Sequence, residues 1–260
     1  MDQAPLVSII TPAFNSERFL GETVASVRAQ TLPRWEMIVA DDRSSDGTLA
    51  LARRLAAEEP RLRVIEMPRN GGAGPARNAA IEASAGRYLA FLDADDLWDP
   101  TKLERQVAFM QRGGHAFSYH DYRVVSEGGG RLGRSLTFPP AISYRDMLIE
   151  QPGCLTVMLD RQAFPPIRFP PFRRNQDGAL WLSLLRGGLV AHGLPEELAS
   201  YRAVETSLTH NKLRSARAVW AVYREQEHLS LPTAASCFLR YALRGALKHA
   251  ATRARRPGVG

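Results

Sequence analysis

The chain has 260 residues, 45% of them hydrophobic and 23% charged, which suits one large globular domain or one domain with an appendage. No apolar stretch approaches the roughly 20 residues that cross a membrane, and no basic region precedes the N-terminal apolar run, as it would in a secretory signal. The net charge of +7 predicts an anionic partner, such as nucleic acid, an anionic lipid surface or a phosphorylated substrate.

In the first hundred residues, predicted strands and helices alternate. Runs of β-branched and aliphatic residues predict strands, and apolar residues at helical spacing predict the helices between them. The strands are predicted at 6–11, 36–40, 62–67 and 87–92. This alternation indicates a parallel sheet with helices on both faces, in which ligands bind beyond the carboxyl ends of the strands.

The rest of the chain is less regular and shows no internal repeat. Its predicted elements are a helix at 102–113, extended segments at 115–125 and 153–160, a proline-rich basic loop at 161–177 and helices at 178–187, 211–229 and 233–250. We predict one α/β domain with a C-terminal helical appendage.

Three aspartates, Asp93, Asp95 and Asp96, directly follow the fourth predicted strand. Carboxylates this close repel one another and raise each other's pKa, so the cluster needs a compensating group. A divalent cation is the strongest candidate, because oxygen ligands suit Mg²⁺ or Mn²⁺. The alternative is a solvated acidic loop.

Three long stretches carry a recognisable pattern: VSIITPAFNSERFLGETVASVRAQTLPRWEMIVADDRSSDGT, NGGAGPARNAAI and GRYLAFLDADDLWDPTKLERQ. Together they resemble the family 2 glycosyltransferases, nucleotide-sugar-dependent enzymes with a single Rossmann-like domain. Three later stretches are GCLTVMLDR, NQDGALWLSLLRGG and YRAVETSLTHNKLRSARAVWAVYR. These resemble the teichuronic acid biosynthesis glycosyltransferases within that family, and the resemblance extends to about residue 250.

The resemblance implies a fold and a domain organisation. We expect a mixed, mostly parallel sheet in a single nucleotide-diphospho-sugar transferase domain at 1–208. Its halves would be a nucleotide-sugar-binding half at 1–112 and an acceptor half at 113–208. A helical appendage with a basic tail would occupy 209–260.

The resemblance also implies roles for the acidic residues. Asp95 would ligate the metal, and Asp93 would contact the ribose or a metal-bound water. Asp96 would be a third member of the cluster or cap the following helix. The reaction would be a single displacement in which Mn²⁺ or Mg²⁺ neutralises the departing diphosphate of a UDP-sugar.

Further donor contacts are implied at the first two strand ends. Asp41 would accept the uracil N3–H, Asp42 would do so or act as a helix cap, and Asp46 would be a cap. The remaining implied donor-binding residues are Thr11, Pro12, Phe14, Asn15 and Arg77. For Phe14, packing in the core is the alternative. Asn15 or Ser16 is expected to cap the first helix.

Arg77 would lie near the base or the diphosphate, because its planar guanidinium both stacks and pairs with phosphate. The alternative is an ordinary surface arginine at the N-terminus of a helix. NGGAGPARN itself matches neither the dinucleotide-binding glycine pattern nor a Walker loop.

The base that deprotonates the acceptor hydroxyl is expected to be Asp177. Family members show Glu-Asp at this point, whereas this chain has Gln176-Asp177. Loss of the neighbouring charge should keep the base pKa lower than in a Glu-Asp pair, and capping of the 178–187 helix is the alternative role. Gln176 and Trp181 are expected on the acceptor side, with core packing as the alternative for Trp181.

The cysteines and histidines have no metal-site spacing among themselves. Cys154 and Cys237 are interpreted as small buried residues in a reducing cytoplasm. Some relatives add a late histidine ligand, and His192 is the candidate here, but we expect it to be an ordinary structural residue.

The C-terminal segment at 233–256 is basic and amphipathic. Its basic residues are Arg240, Arg244, Lys248, Arg253, Arg255 and Arg256. Apolar residues at helical spacing accompany them: Phe238, Leu239, Tyr241, Leu243 and Leu247. Such a helix either lies on an anionic membrane, near a lipid-linked carbohydrate acceptor, or packs on the domain. The expected location is cytoplasmic, at the inner face of the membrane.

Two other functions are considered. A D-x-D phosphatase would place its motif near the start of the chain, whereas here the motif follows three strand–helix units. A basic nucleic-acid-binding protein would explain the charge but not the acidic strand ends, which repel phosphate. We therefore expect no nucleic-acid partner.

Overall fold

The computed structural model describes residues 4–204 and 212–253. Its strands are β1 (Val7–Ala13), β2 (Trp35–Asp41), β3 (Leu62–Glu66), β4 (Tyr88–Phe91), β5 (Leu97–Trp98), β6 (Phe117–Ser126), β7 (Arg131–Leu136), β8 (Ala141–Ile142), β9 (Met158–Asp160) and β10 (Ala191–Ala203). Its helices are α1 (Glu17–Arg28), α2 (Thr48–Glu58), α3 (Ala73–Glu82), α4 (Lys102–Gly113), α5 (Tyr144–Met147), α6 (Gln176–Leu185), α7 (Lys212–Ala221) and α8 (Leu231–Arg253).

All ten strands belong to one mixed sheet with the order β3-β2-β1-β4-β9-β6-β10-β5, to which β7 and β8 add at β6 and β10. The strands β1 to β4, β6 and β10 point the same way, since β9 is antiparallel to both β4 and β6. This is the expected mixed, mostly parallel sheet. It continues without a break from the first half of the chain into the second.

Helices cover both faces of the sheet because their apolar residues repeat every three or four positions. In α1, Leu20, Val24 and Val27 form such a stripe, and all three are buried. Successive residues of a strand point to opposite faces of the sheet, so each face has its own core. Ile9 packs in the core that includes α1, and Ile10 packs in the core that includes α6. Each fully buried aliphatic side chain contributes about 1.5–3 kcal/mol.

The four strands predicted in the first hundred residues are confirmed, with ends that differ by one or two residues, whereas the two-residue strand β5 was not predicted. The sequence analysis also missed β10, because Gly193 and Pro195 interrupt any alternation of apolar residues there. The predicted strand at 153–160 is only β9, since a 3₁₀ turn at Cys154–Thr156 precedes it. Cys154 and Cys237 are both free, and Cys154 is buried as expected, whereas Cys237 is only half-buried.

The C-terminal helices are part of the main core. After α7 the chain makes a π-helical turn at Val222–Gln226 and then enters α8. Val219, Tyr223 and Ala234 have at most 2% of their surface exposed and pack in the same core as α6. The proposed boundary between 208 and 209 lies outside the described residues.

Candidate active site

The carboxyl ends of β1, β2 and β4 meet at one edge of the sheet. Ala13 lies beside Asp41 in the β1–β2 ladder, and Ile10 lies beside Phe91 in the β1–β4 ladder. Asp93 follows Phe91 by two residues and is therefore near the level of Pro12. The structure thus brings together the site residues predicted on these three strand ends.

Residues 93–96 form the acidic loop. Arg77 donates a hydrogen bond of 2.5 Å from Nη2 to Asp93 Oδ1. Burial and the Asp93 carboxylate raise the pKa of Asp95 to about 6, although Arg202 and Arg77 oppose this. The ionised form of Asp95 is therefore costly unless a further positive charge lies beside it.

The donor set of the acidic loop fits a hard divalent cation. Asp93 and Asp95 offer carboxylate oxygens, which Mg²⁺ and Mn²⁺ prefer. Within 4–204 and 212–253, no three histidine, cysteine, aspartate or glutamate side chains form a metal cluster. A cation here would take its other ligands from phosphate and water, as Mg²⁺ commonly does in phosphate-binding sites.

Asp96 belongs to the acidic cluster, since burial, Asp95 and Asp93 raise its pKa, but it does not cap the following helix. It is 1% exposed, and its Oδ1 accepts the backbone N–H of Arg202 at 2.8 Å. Thr101, not Asp96, occupies the N-cap position of α4. Asp96 therefore ties β10 to the acidic loop.

Arg202 is a residue that the sequence reasoning missed. Its Nε donates to the Asp95 carbonyl at 2.9 Å, its Nη1 to the Glu127 carbonyl, and its Nη2 to Glu22 at 2.5 Å. The side chain is 1% exposed. Arg202 fixes the backbone of Asp95, but no sequence signal marked it, since β10 was not recognised as a strand.

Two buried oxygens at the ends of β1 and β2 have no partner among the described residues. They are Thr11 Oγ1 and Asp41 Oδ1. The other oxygen of Asp41 accepts the Ser44 N–H at 3.1 Å. Buried polar atoms nearly always have partners, so these two are suited to a ligand that supplies hydrogen-bond donors.

Asp42 is occupied by the backbone. Its two carboxylate oxygens accept the N–H groups of Gly71 at 2.8 Å and Gly72 at 2.7 Å. Gly72 has φ +89, which favours glycine. Asp42 thus holds the glycine-rich loop rather than capping a helix.

The loop after β1 is exposed. Phe14 keeps 50% of its surface in solvent, so the alternative that it packs in the core is wrong. Asn15 adopts φ +48, and its Oδ1 accepts the Ser45 N–H at 2.8 Å. The loop therefore packs on the loop that follows β2.

The caps of the first two helices differ in part from expectation. Neither Asn15 nor Ser16 makes a side-chain cap at α1. Instead, Asp46 Oδ2 accepts the Glu17 N–H at 3.3 Å, and Asp46 Oδ1 accepts the Thr48 N–H at 3.0 Å. Asp46 therefore caps α2, as expected, and α1 as well.

The glycine-rich loop brings α3 against α6. A Cβ at Gly74 would lie 2.2 Å from Gln176 Oε1, so a larger residue would displace that amide. Arg77 is 5% exposed, and its guanidinium carbon lies 5.2 Å from the centre of the Phe169 ring. Sequence reasoning missed Asn78, which holds Phe169 by two backbone hydrogen bonds of 3.0 and 2.8 Å.

Asp177 is the second residue of α6, and Asn175 occupies the N-cap position. Asp177 is therefore not the N-cap residue, but its Oδ1 accepts the N–H of Gly178 in the first turn of α6 at 2.9 Å. Burial raises its pKa, while Arg77 lowers it, and burial has the larger effect. The comparison with a Glu-Asp pair stays a prediction, because the uncharged Gln176 removes one source of repulsion while burial raises the pKa of Asp177 in either case.

Trp181 is a core residue. Its exposure is 0%, and its ring lies 5.5 Å from Phe91 and 5.3 Å from Phe117. It has no surface with which to contact an acceptor, so the core alternative describes it correctly. Gln176, with 8% exposure, is also mostly buried.

His192 lies at the start of β10, at the opposite end of the strand from Arg202. Its ring stacks on His115 with centroids 3.9 Å apart. This position, far from Arg202 and the acidic loop, agrees with the structural role that we expected for His192.

Known proteins that are similar to this chain identify its family. The model of glycosyl transferase family 2 matches residues 8–172. The Bacillus subtilis protein TuaG, named as a teichuronic acid biosynthesis glycosyltransferase, is 44% identical over 92% of this chain and 95% of its own length. The Escherichia coli protein WfgD, a glucosyltransferase named for UDP-Glc and α-D-GlcNAc-diphosphoundecaprenol, is 34% identical over 94% and 95%.

Solved structures show the same fold. S. aureus TarS 1–349 in complex with UDP-GlcNAc has a TM-score of 0.70 and 19% identity, over 91% of this chain and 71% of that one. The mannosyltransferase PcManGT from Pyrobaculum calidifontis, in complex with GDP-Man and Mn²⁺, has a TM-score of 0.70 and 18% identity, over 99% and 77%. With the family match and the relatives above, these likenesses lead to one conclusion: the chain belongs to glycosyl transferase family 2 and is a glycosyltransferase.

Proposed function

We propose that this glycosyltransferase moves a sugar from a UDP-sugar to a carbohydrate hydroxyl, with inversion at the anomeric carbon. The observation that carries the proposal is the arrangement around Arg77. Its guanidinium pairs with Asp93 of the acidic loop and lies close enough to Asp177 to affect its pKa. A donor-side carboxylate and a candidate base therefore flank one buried cation.

The donor side uses the strand ends. Asp41 Oδ1 lacks a partner among the described residues and is suited to accept the uracil N3–H, with Thr11, Pro12, Phe14 and Asn15 around the base and ribose. Asp95 and Asp93 would hold Mn²⁺ or Mg²⁺, with Asp93 also facing the ribose. Such a cation, when bound, neutralises the charge that develops on the leaving diphosphate.

On the acceptor side, Asp177 removes the proton from the attacking hydroxyl. A raised pKa brings the carboxylate closer to the operating pH, where a base both stays ionised and takes a proton readily. Attack from the side opposite to the departing diphosphate inverts the anomeric carbon. Gln176, wedged against Gly74, keeps the start of α6 in place.

The acceptor is proposed to be a lipid-linked carbohydrate used in surface polysaccharide assembly. The name of WfgD states such an acceptor, and that of TuaG states teichuronic acid biosynthesis. The proposed location is cytoplasmic, at the inner face of the membrane. The same proposal divides the chain into 1–208, with donor and acceptor halves at 1–112 and 113–208, and an appendage at 209–260 whose helices pack into the core of the domain.

The structure separates the apolar residues of α8 into two faces. Phe238 and Tyr241 pack against the core, whereas Leu231, Leu239 and Leu243 are 61%, 60% and 56% exposed. Leu239 and Leu243, four residues apart on the helix, form the leucine face, which we propose inserts into the membrane surface. None of the helices within 4–204 and 212–253 is long and apolar enough to cross a bilayer.

The basic residues of the tail are not all available to lipid. Arg244 forms an ion pair with the buried Glu150, so it holds α8 to the domain. Arg240 is exposed. The side chains of Leu247, Lys248 and Arg253, and all of residues 254–256, lie outside the described part of the structure.

The test is an assay of the full chain with Mn²⁺ and a panel of UDP-sugars on lipid-linked sugar acceptors. Transfer should occur with one or more UDP donors and stop on addition of EDTA. Nuclear magnetic resonance of the product should show an anomeric configuration opposite to that of the donor. A product with retained configuration would overturn the proposed base and the single displacement.

A further inference from the structure

A groove runs between α7, the π-helical turn and α8. Its volume is about 620 Å³, and its lining residues are Ala216, Arg217, Trp220, Ala221, Arg224, Glu225 and Phe238. We call it the α7–α8 groove. Its walls are mainly apolar, with two arginines and one glutamate among the lining residues, so it suits a ligand that joins a hydrocarbon part to a negatively charged part.

Aromatic side chains lead from this groove to the core that also holds α6, the helix of the candidate base. Trp220 and Phe238 meet edge to face with centroids 5.7 Å apart, and Phe238 lies 6.4 Å from Tyr241 on the next turn of α8. Burial and the nearby Asp177 carboxylate together raise the pKa of Tyr241. The track Trp220–Phe238–Tyr241 therefore leads from the groove toward Asp177.

The groove also borders the leucine face. Side chains on a helix turn by about 100° per residue, so Leu239 follows Phe238 around α8 on the side away from Tyr241. A hydrocarbon chain at the leucine face could enter the groove past Phe238 without crossing the polar side that carries Arg240 and Arg244.

We propose that the α7–α8 groove binds the isoprenoid chain next to the diphosphate of a lipid-linked acceptor, with Arg217 and Arg224 facing the diphosphate. The inference rests on the proposed function, because it supplies the lipid part of that acceptor. Charge complementarity favours this occupant, because two arginines and one glutamate, Glu225, line the groove. Arg224 donates from Nη1 to the Leu229 carbonyl, and its other N–H groups can donate to a diphosphate.

The probe is farnesyl diphosphate, compared with isopentenyl diphosphate, which has a short chain, and farnesol, which has no phosphate. Binding to the full chain is measured below the critical micelle concentration, in EDTA, so that no metal at the acidic loop attracts the diphosphate. Each methylene buried is worth about fourfold in affinity. Farnesyl diphosphate should therefore bind at least about tenfold more tightly than either comparator.

Ala216→Phe fills the groove, and the same change at Ala50, exposed on α2, is the matched control. Ala216→Phe should bind farnesyl diphosphate no more tightly than isopentenyl diphosphate, whereas Ala50→Phe should keep the native preference for the longer chain. Arg217→Gln should weaken farnesyl diphosphate but not farnesol, and it tests the site independently should Ala216→Phe not fold.

Several results would overturn the inference. One is equal affinity for the long and short chains in the native protein. Another is native affinity in a folded Ala216→Phe variant. A third is a Leu239→Gln variant that loses the preference for farnesyl over isopentenyl diphosphate while Ala216→Phe keeps this preference. That result would place the isoprenoid chain on the leucine face. UDP affinity with Mn²⁺, measured on the same samples, reports on the proposed function separately.

Discussion

Arg77 donates a 2.5 Å hydrogen bond to Asp93 from a position where only 5% of its own surface is exposed. The pair joins α3 to the acidic loop. Because a buried guanidinium is costly without a carboxylate partner, the buried Arg77 depends on Asp93. Arg77 also stacks on Phe169, which α3 itself holds through Asn78.

Arg77→Lys tests this pairing. A lysine keeps the charge but lacks the planar fork that pairs with Asp93 while lying over Phe169. We expect turnover to fall by at least about tenfold while the far-ultraviolet circular dichroism spectrum stays native. Arg168→Lys is the control, because Arg168 is 72% exposed and pairs with the exposed Glu82. Equal turnover in the two variants would contradict a role for Arg77 in the site.

Asp177→Asn tests the base. The amide keeps the shape of the side chain but cannot take a proton, so turnover should fall by roughly 10² or more. Donor affinity should survive, because Asp177 acts on the acceptor. Steady-state kinetics together with UDP titration separate the two effects. An equal loss of donor affinity would give Asp177 a binding or structural role instead.

The leucine face is tested by co-sedimentation with anionic liposomes at low salt. Leu239→Gln with Leu243→Gln removes apolar surface without touching Phe238 or Tyr241, so α8 should stay packed on the domain. The double variant should lose most liposome binding, and Leu132→Gln, a control at a 49% exposed leucine on β7, should retain it. Binding that is unchanged in the double variant, or absent in the native protein, would assign α8 a structural role only.

His120 predicts a pH dependence of stability. It is fully buried, its Nδ1 donates to the Asp121 carbonyl at 2.7 Å, and burial with the nearby Lys102 lowers its pKa to about 3. Since an unfolded histidine takes up a proton near pH 6.5, this part of the stability is complete above that pH and is lost as the pH falls toward 3.

Urea unfolding of the native protein and of His120→Asn, which can keep the hydrogen bond, isolates this effect. Between pH 6.5 and 4.5 the native protein should lose about 2–3 kcal/mol more than the variant, from about 1.4 kcal/mol per pH unit. Parallel pH profiles for the two proteins would show that His120 becomes protonated in the folded state as easily as in the unfolded state.

Local patterns in the sequence were sufficient for the donor half of the fold. Apolar periodicity predicted the first four strands, and Asp41 and Asp93 stood out because each follows a strand directly. Contacts between distant segments were not predictable in this way. Arg202 reaches the acidic loop across more than a hundred residues, from a strand whose pattern Gly193 and Pro195 hide.

The tail shows a second limit of sequence patterns. Apolar residues surround much of α8, so their spacing predicts a helix but cannot tell which side packs on the protein. The structure assigns Phe238 and Tyr241 to the core and leaves Leu239 and Leu243 exposed. Likewise, the indole of Trp181, one turn beyond Asp177, turns inward, which residue spacing alone left open.

The most direct test of the central claim is calorimetric titration of UDP against the native protein and Asp95→Ala, each with Mn²⁺ and with EDTA. Asp95 has a pKa raised by burial and by Asp93, and a cation there should relieve both effects. The native protein should bind UDP at least about tenfold more tightly with Mn²⁺ than with EDTA, and Asp95→Ala should lose that difference while remaining folded. UDP binding that is indifferent to Mn²⁺ in the native protein, or a full Mn²⁺ effect in Asp95→Ala, would contradict the account.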